Sequence, residues 1–174
     1  EIIVMGGTFP ALDKAYQEEF VKYTFKAMND FSDLFFKEDF DLIKFKEFFE
    51  LPVVNIADKE RTKRIHEKLL KLKGISTLDQ EKQRNENSKI KCIGLTIETK
   101  PDWGKLSHGN LMLEQGCTRV EIGIQSVYED VLKFMHRGHT LEDTKESIRI
   151  LKDLGFKINA HMMPGMIEDK EKDL

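Results

Sequence analysis

Four short apolar runs punctuate the chain, Ile2 to Met5, Ile90 to Ile97, Val120 to Ile124 and Ile158 to Met163. Each closes on Gly, Pro or polar residues, the pattern of strands buried on both faces. Between them the apolar period lengthens. From Ala11 to Asp30, Leu12, Tyr16, Phe20, Tyr23 and Ala27 recur at steps of three and four and predict an amphipathic helix. Leu106, Leu111, Met112 and Leu113 predict a shorter helix stopped at Gly116. Val127, Val131, Leu132 and Met135 form another helical set, and Thr140 is placed to cap a helix running through Ile148, Leu151 and Leu154 to Gly155. Strands and helices thus alternate, with the last strands about 30 residues apart, the length of a βαβ unit. The expected class is α/β, with parallel strands, right-handed crossovers and partial or full closure into a TIM-like (β/α) barrel.

The stretch from Phe31 to Ser88 breaks this rhythm. Phe31, Phe35, Phe36, Phe40, Phe45, Phe48 and Phe49 crowd its first half, followed by a charged helix at Lys59 to Lys73 and a polar run from Gln80 to Ser88. We read it as a helical insertion whose phenylalanines form a satellite core, against the alternative of an aromatic platform for bases. The expected organisation is therefore 1–30 as a first strand–helix unit, 31–88 as the insertion and 89–174 as the remaining barrel units. Lys59, Arg61, Lys63, Arg64, Lys68, Lys71 and Lys73 make the basic stretch of note, either a solvated helix face or an RNA-facing patch.

Composition narrows the picture. With 174 residues, 40% of them hydrophobic, the chain fits one domain or a large part of one. A net charge of -3 supplies no overall field to draw it onto nucleic acid, so any RNA contact is local. No apolar run approaches the roughly 18 residues of a membrane span, and no membrane partner is expected; the chain reads as cytoplasmic. Cys92 and Cys117 are too few and too far apart for a disulfide framework or a clustered metal site, so no metal ligand is expected in the chain. The opening on an apolar strand and the polar end from Met166 to Leu174 both read as cuts through a longer protein.

In parallel α/β architectures, ligands bind at the carboxyl ends of the strands. The first run ends in Gly6-Gly7-Thr8, where paired glycines let the backbone approach a ligand, though they also suit a tight strand-to-helix turn. The second ends in Glu98-Thr99-Lys100, whose carboxylate could accept from an amine or a ribose hydroxyl. Along the third, alternation points Glu121, Gly123 and Gln125 to one face, and along the fourth Asn159, His161 and Met163 share a face. Arg137, in the junction Met135 to Thr140, could pair with a carboxylate in bidentate fashion, or belong to a helix C-cap with surface cations. Residue chemistry alone stops at an α/β barrel for a polar, amine- and hydroxyl-bearing ligand, with Gly6, Glu98, Gln125 and His161 at one rim.

Taken together, Met5-Gly6-Gly7-Thr8-Phe9, the run from Lys91 to Asp102, the run from Gly116 to Asp130, Arg137-Gly138-His139-Thr140 and His161-Met162-Met163-Pro164 resemble, in order, the radical-SAM domain of the Elongator protein 3 family. A weaker likeness to oxygen-independent coproporphyrinogen oxidases points to the same broad class. The resemblance implies a partial barrel that binds S-adenosylmethionine against a 4Fe-4S cluster. It implies that Gly6, Gly7 and Thr8 meet the methionyl amine, Glu98 a methionyl or ribose group, Gln125 and His161 the ribose, and Arg137 the carboxylate; no catalytic residue is assigned. The family's cluster-binding cysteines precede the Gly-Gly turn and its acetyltransferase domain follows the barrel, so neither is expected within this chain, which alone would be inactive. Met163-Pro164-Gly165-Met166 departs from the usual Met-Pro-Asp, and Lys100 stands where many relatives have Arg.

The implied activity is that of an acyltransferase using acetyl-CoA and radical-SAM chemistry to form a carboxymethyl-type group at C5 of wobble uridine 34. Its implied partners are tRNA, acetyl-CoA and other Elongator subunits. A non-catalytic tRNA and acetyl-CoA scaffold and a protein lysine acetyltransferase subunit are the alternatives.

Overall fold

The apolar runs form one parallel sheet, in the order β1-β2-β3-β4, in a computed structural model that describes residues 1–53 and 55–168. The end of the polar stretch expected after the last strand, 169–174, lies outside the described residues. Strands β1 (Ile2–Val4), β2 (Leu95–Thr99), β3 (Arg119–Gln125) and β4 (Lys157–Met162) are neighbours in chain order. In the ladder Val4 pairs with Ile97, Ile97 with Val120 and Val120 with Ile158. Ile97, Val120 and Ile122 are fully buried, as continuous apolar runs in a parallel sheet require. The result is an open α/β barrel segment; full closure, which takes eight strands in a (β/α) barrel, is absent among the described residues. β2 starts at Leu95 rather than Ile90, because Ile93 stands out in solvent and the ladder is joined only from Gly94 onward, whose carbonyl accepts from Ile2 N–H at 2.9 Å.

The chain divides into two compact units, Glu1–Glu18 with Cys92–Leu174, and Glu19–Lys91. In the first, helices α5 (Leu106–Glu114), α6 (Glu129–Phe134) and α7 (Leu141–Asp153) alternate with the strands. Gly116, at φ 86°, ends α5 in the left-handed region that glycine favours. Thr140 and Asp143 form a reciprocal capping box at the start of α7. The Lys105 ammonium, 2.8 Å from Asp143, holds that carboxyl well below the usual carboxylate range, ahead of the contribution from Thr140. α5 approaches α7 closely at Gly109, where a Cβ would overlap the Leu154 side chain.

Helix α1 (Lys14–Phe35) starts later and ends later than the expected 11–30. Pro10 lies in a 3-10 turn, Phe9–Ala11, and Asp13 Oδ1 then accepts from Ala15 and Tyr16 N–H at 2.9 and 3.3 Å, which opens the helix beyond it. At the other end, Phe31 and Phe35 simply continue its apolar stripe. The second unit adds α2 (Leu42–Phe49), α3 (Lys59–Leu72) and α4 (Leu78–Glu86). Its phenylalanines pack on one another, with ring centroids 5.3 Å apart for Phe35 and Phe45 and 4.9 Å for Phe45 and Phe49. The polar run at 80–88 conceals α4, opened by a Thr77–Gln80 capping box. Much of the basic stretch on α3 has partners inside the unit. Arg61 binds the Phe49 carbonyl, while Arg64 and Lys68 reach Glu50 at 2.7 and 3.2 Å. Arg64, first, and Lys68 draw the Glu50 carboxyl down to about 2, against a smaller opposing effect of burial.

Among the described residues, no helix is long and apolar enough to cross a membrane. α1 and α4 are joined by a buried polar network. Asn29 Nδ2 donates to the Glu81 carbonyl and carboxylate, both at 2.9 Å, and Asn29 Oδ1 accepts from Asn85 Nδ2 at 2.7 Å. Asn29→Ala strips all three bonds from a fully buried position and is expected to cost about 1–3 kcal/mol, read as a lower urea midpoint at unchanged m-value. An unchanged midpoint would show the network to be dispensable.

Candidate functional site

The strand ends of the first unit enclose a cavity of about 210 Å³. Gly7 and Thr8 reach it from the turn after β1, Glu98 and Thr99 from β2 with Lys100 just beyond, Glu121, Gly123 and Gln125 from β3, and His161 from β4. Arg137 arrives from the turn after α6, where His136 at φ 52° and Gly138 at φ 79° reverse the chain. Of the seven residues singled out from sequence, Gly7, Thr8, Glu98, Gln125, Arg137 and His161 line this one cavity. Gly6 joins them through its N–H, which donates to Glu98 Oε2 at 3.1 Å. Asn159 and Met163, placed on the same face as His161 by alternation, are exposed and outside the lining.

Parallel register sets Glu98 directly beside Glu121. Two neighbouring carboxylates repel each other, and each is partly compensated. Glu98 takes the Gly6 N–H, and Glu121 Oε2 lies 2.9 Å from His161 Nε2. The ligating atoms of Glu98, Glu121 and His161 all fall within 4.8 Å of one another, a wall suited to a cationic group, organic or metallic. The opposite charge is also prepared. Arg137 Nη2 lies 3.5 Å from the Gly123 carbonyl, while its buried Nε has no hydrogen-bond partner. Such an orphaned donor carries a desolvation cost of about 1–3 kcal/mol, and the guanidinium that bears it lines the cavity, where a ligand carboxylate could pair with it. Gly123 makes room for this arrangement, since a Cβ there would sit 2.7 Å from Gln125 Nε2 and 3.2 Å from Arg137 Nη2.

Gln125 reaches the cavity differently from the expected plain alternation. The β3–β4 register shifts between Gly123 and Gln125, and Gln125 adopts φ 73°. A bulge with a non-glycine residue in the left-handed region stores strain and redirects one side chain. Behind it, buried His139 Nε2 lies 3.2 Å from the Ile124 carbonyl, and burial pushes its imidazole below the ordinary histidine range. Thr99, Lys100, Glu121 and Gly123 complete the lining; the sequence places them at the strand ends without assigning them a ligand contact. The Glu121-Gly123-Gln125 alternation carried the signal for Glu121, and adjacency to Glu98 carried it for Thr99 and Lys100. Neither cysteine belongs to the site: burial pushes the Cys117 thiol up to about 12 and raises that of Cys92, so both stay protonated. A larger cleft of about 360 Å³ opens in the second unit among Phe35, Phe48, Leu69 and Leu70; its walls are largely apolar, and of the charged residues at it Lys26 and Asp30 are paired with each other.

The radical SAM superfamily model matches residues 1–174. The chain is 35% identical over 166 residues to the tRNA uridine(34) acetyltransferase of Methanocaldococcus jannaschii, covering 95% of this chain and 23% of that protein. It is 36% identical over 175 residues to Elongator complex protein 3 of Drosophila melanogaster, covering 100% and 24%. The solved structure of the archaeal Methanocaldococcus infernus Elp3 with an N-terminal deletion superposes with a TM-score of 0.69 at 34% identity, over 95% of this chain and 29% of that one. The chain thus spans about a quarter of the length of the curated relatives it matches.

An arginine kept with a buried, unpartnered N–H serves a ligand better than it serves the fold. Arg137→Met is therefore expected to leave the ligand-free protein as stable as before, or up to about 1 kcal/mol more stable, by urea denaturation. A clear loss of stability would make Arg137 a structural residue instead.

Proposed function

Because this chain belongs to the radical SAM superfamily, we propose that its strand-end cavity is an S-adenosylmethionine site serving modification of wobble uridine 34 in tRNA. The observation that carries this reading is the pairing of opposite charges in one cavity. The Glu98–Glu121 wall faces the need of an ammonium or sulfonium, and the Arg137 guanidinium in the same lining that of a carboxylate. S-adenosylmethionine carries all three groups.

Gly6, Gly7 and Thr8 with Glu98 would hold the methionyl amine, Arg137 the carboxylate, and Gln125 and His161 the ribose. When bound, S-adenosylmethionine and a 4Fe-4S cluster supply reductive cleavage of the sulfonium and, from it, a carbon-centred radical for hydrogen abstraction. The residues of this chain bind and orient. Gly6 anchors one carboxylate and His161 meets the other, Gln125 is fixed by its bulge, and the strands that carry Glu98 and Glu121 are backed on their other face by the buried side chains of Ile97, Val120 and Ile122. No residue here is assigned to proton transfer, and the cluster ligands are expected outside this chain.

The names of the relatives extend the proposal to the whole protein. It would use acetyl-CoA as co-substrate and tRNA as substrate, form a carboxymethyl-type group at C5 of the uridine as a cytoplasmic acyltransferase, and work beside other Elongator subunits. Residues 31–88 would be an insertion between a first barrel unit, 1–30, and the remainder, 89–174.

Anaerobic cluster reconstitution of the full-length protein, followed by reduction and assay of 5′-deoxyadenosine with and without acetyl-CoA and tRNA, tests the reading. Sulfonium cleavage is expected, stimulated by the two co-substrates. A reduced, cluster-loaded sample that never releases 5′-deoxyadenosine would sink the enzyme and leave a scaffold.

A further inference from the structure

We propose that Glu121 is a positioning residue that fixes His161 as a hydrogen-bond acceptor, and that the pair thereby selects a ligand bearing free ribose hydroxyls. The inference rests on the assignment of the cavity to S-adenosylmethionine and adds to Glu121, already part of its cation-facing wall, a second role toward His161. Glu121 projects from β3 between fully buried Val120 and Ile122, so its backbone is held firmly. Its side chain is 12% exposed against 43% for His161, which makes the carboxylate the support and the imidazole the exposed reader.

The chemistry of the contact sets the direction. An ionised carboxylate only accepts hydrogen bonds, so the proton in the 2.9 Å contact between Glu121 Oε2 and His161 Nε2 sits on nitrogen. In the neutral ring, Nδ1 is then left with a lone pair. No hydrogen bond to Nδ1 arises among the described residues. The ring therefore presents an acceptor to a cavity whose neighbouring groups differ in kind. Arg137 and Lys100 donate only, Glu98 gives Oε2 to the Gly6 N–H, and the amide and hydroxyls of Gln125, Thr8 and Thr99 can donate or accept, so an imidazole fixed as acceptor adds a directional requirement to the lining. A ribose diol offers O–H donors that match such an acceptor; a sugar lacking both hydroxyls leaves it unsatisfied. Without Glu121 the ring is free to take the other tautomer, with Nδ1 as donor, or to rotate away.

The experiment uses the full-length, cluster-reconstituted protein and isothermal titration with S-adenosylmethionine and its 2′,3′-dideoxyribose counterpart. Wild type is expected to prefer the ribose form by about tenfold or more. Glu121→Leu is expected to bring that ratio close to one, whereas Glu121→Gln, whose amide oxygen still accepts from Nε2–H, keeps most of it. In parallel, ¹⁵N-histidine NMR of the wild type, with His161→Asn to assign the signal, is expected to show His161 protonated at Nε2. The Nδ1–H tautomer in wild type, or a preference that survives in Glu121→Leu, overturns the role of Glu121 and leaves the site assignment standing. Failure of wild type to bind S-adenosylmethionine at all overturns both. Because the NMR reading needs no variant at Glu121, a misfolded Glu121→Leu does not shield the proposal.

Discussion

Two carboxylates set side by side by parallel strand register, Glu98 on β2 and Glu121 on β3, are the constraint on which the site depends. Nothing in the sheet requires them, and Coulomb repulsion between them opposes the fold. Their neighbours are arranged accordingly. A glycine N–H turns onto one and an imidazole onto the other, while a guanidinium with an unused buried N–H stands in the same cavity lining, next to Gly123. The arrangement is a receptor for a zwitterion with an additional positive centre, with its cost carried in the ligand-free state and recovered on binding.

The rest of the first unit supplies rigidity to that receptor. Buried apolar side chains back the other face of β2 and β3, and α7 is pinned by its Thr140 capping box and by Lys105 at Asp143 and Glu146. The helical unit, by contrast, is stabilised in its own way, through a phenylalanine cluster and the buried Asn29–Glu81–Asn85 network. Three of the seven basic residues in its charged stretch, Arg61, Arg64 and Lys68, hold Glu50 and the end of α2, which leaves less of that charge for an external partner than a linear count suggests.

Much of this was legible in the residues. Continuous apolar runs identify strands buried on both faces, and their polar endings identify the rim, because parallel strands deliver their carboxyl ends to one side. Thr140, Gly116 and Gly155 marked helix boundaries through capping chemistry that is local. What escaped was non-local. The polarity of 80–88 hid α4, since its buried face is polar and satisfied by Asn29, far away in sequence. Alternation led to Gln125, but the bulge that delivers it arises from the β3–β4 register, which no single strand encodes. Glu121 was seen as inward-facing, yet its contact with His161 depends on two strands meeting. Asn159 and His161 pair in register with Glu121 and Gly123, as alternation expects, yet only His161 reaches the cavity, Asn159 being exposed on a strand at the edge of the described sheet.

The most direct measurement is a crystal structure of the full-length protein, prepared anaerobically with its cluster and S-adenosylmethionine. The account places the methionyl carboxylate within hydrogen-bond distance of the Arg137 guanidinium and the amino group on the Gly6–Glu98 side. A ligand bound elsewhere, with Arg137 Nε still unpartnered and the Glu98–Glu121 wall facing solvent, would contradict it.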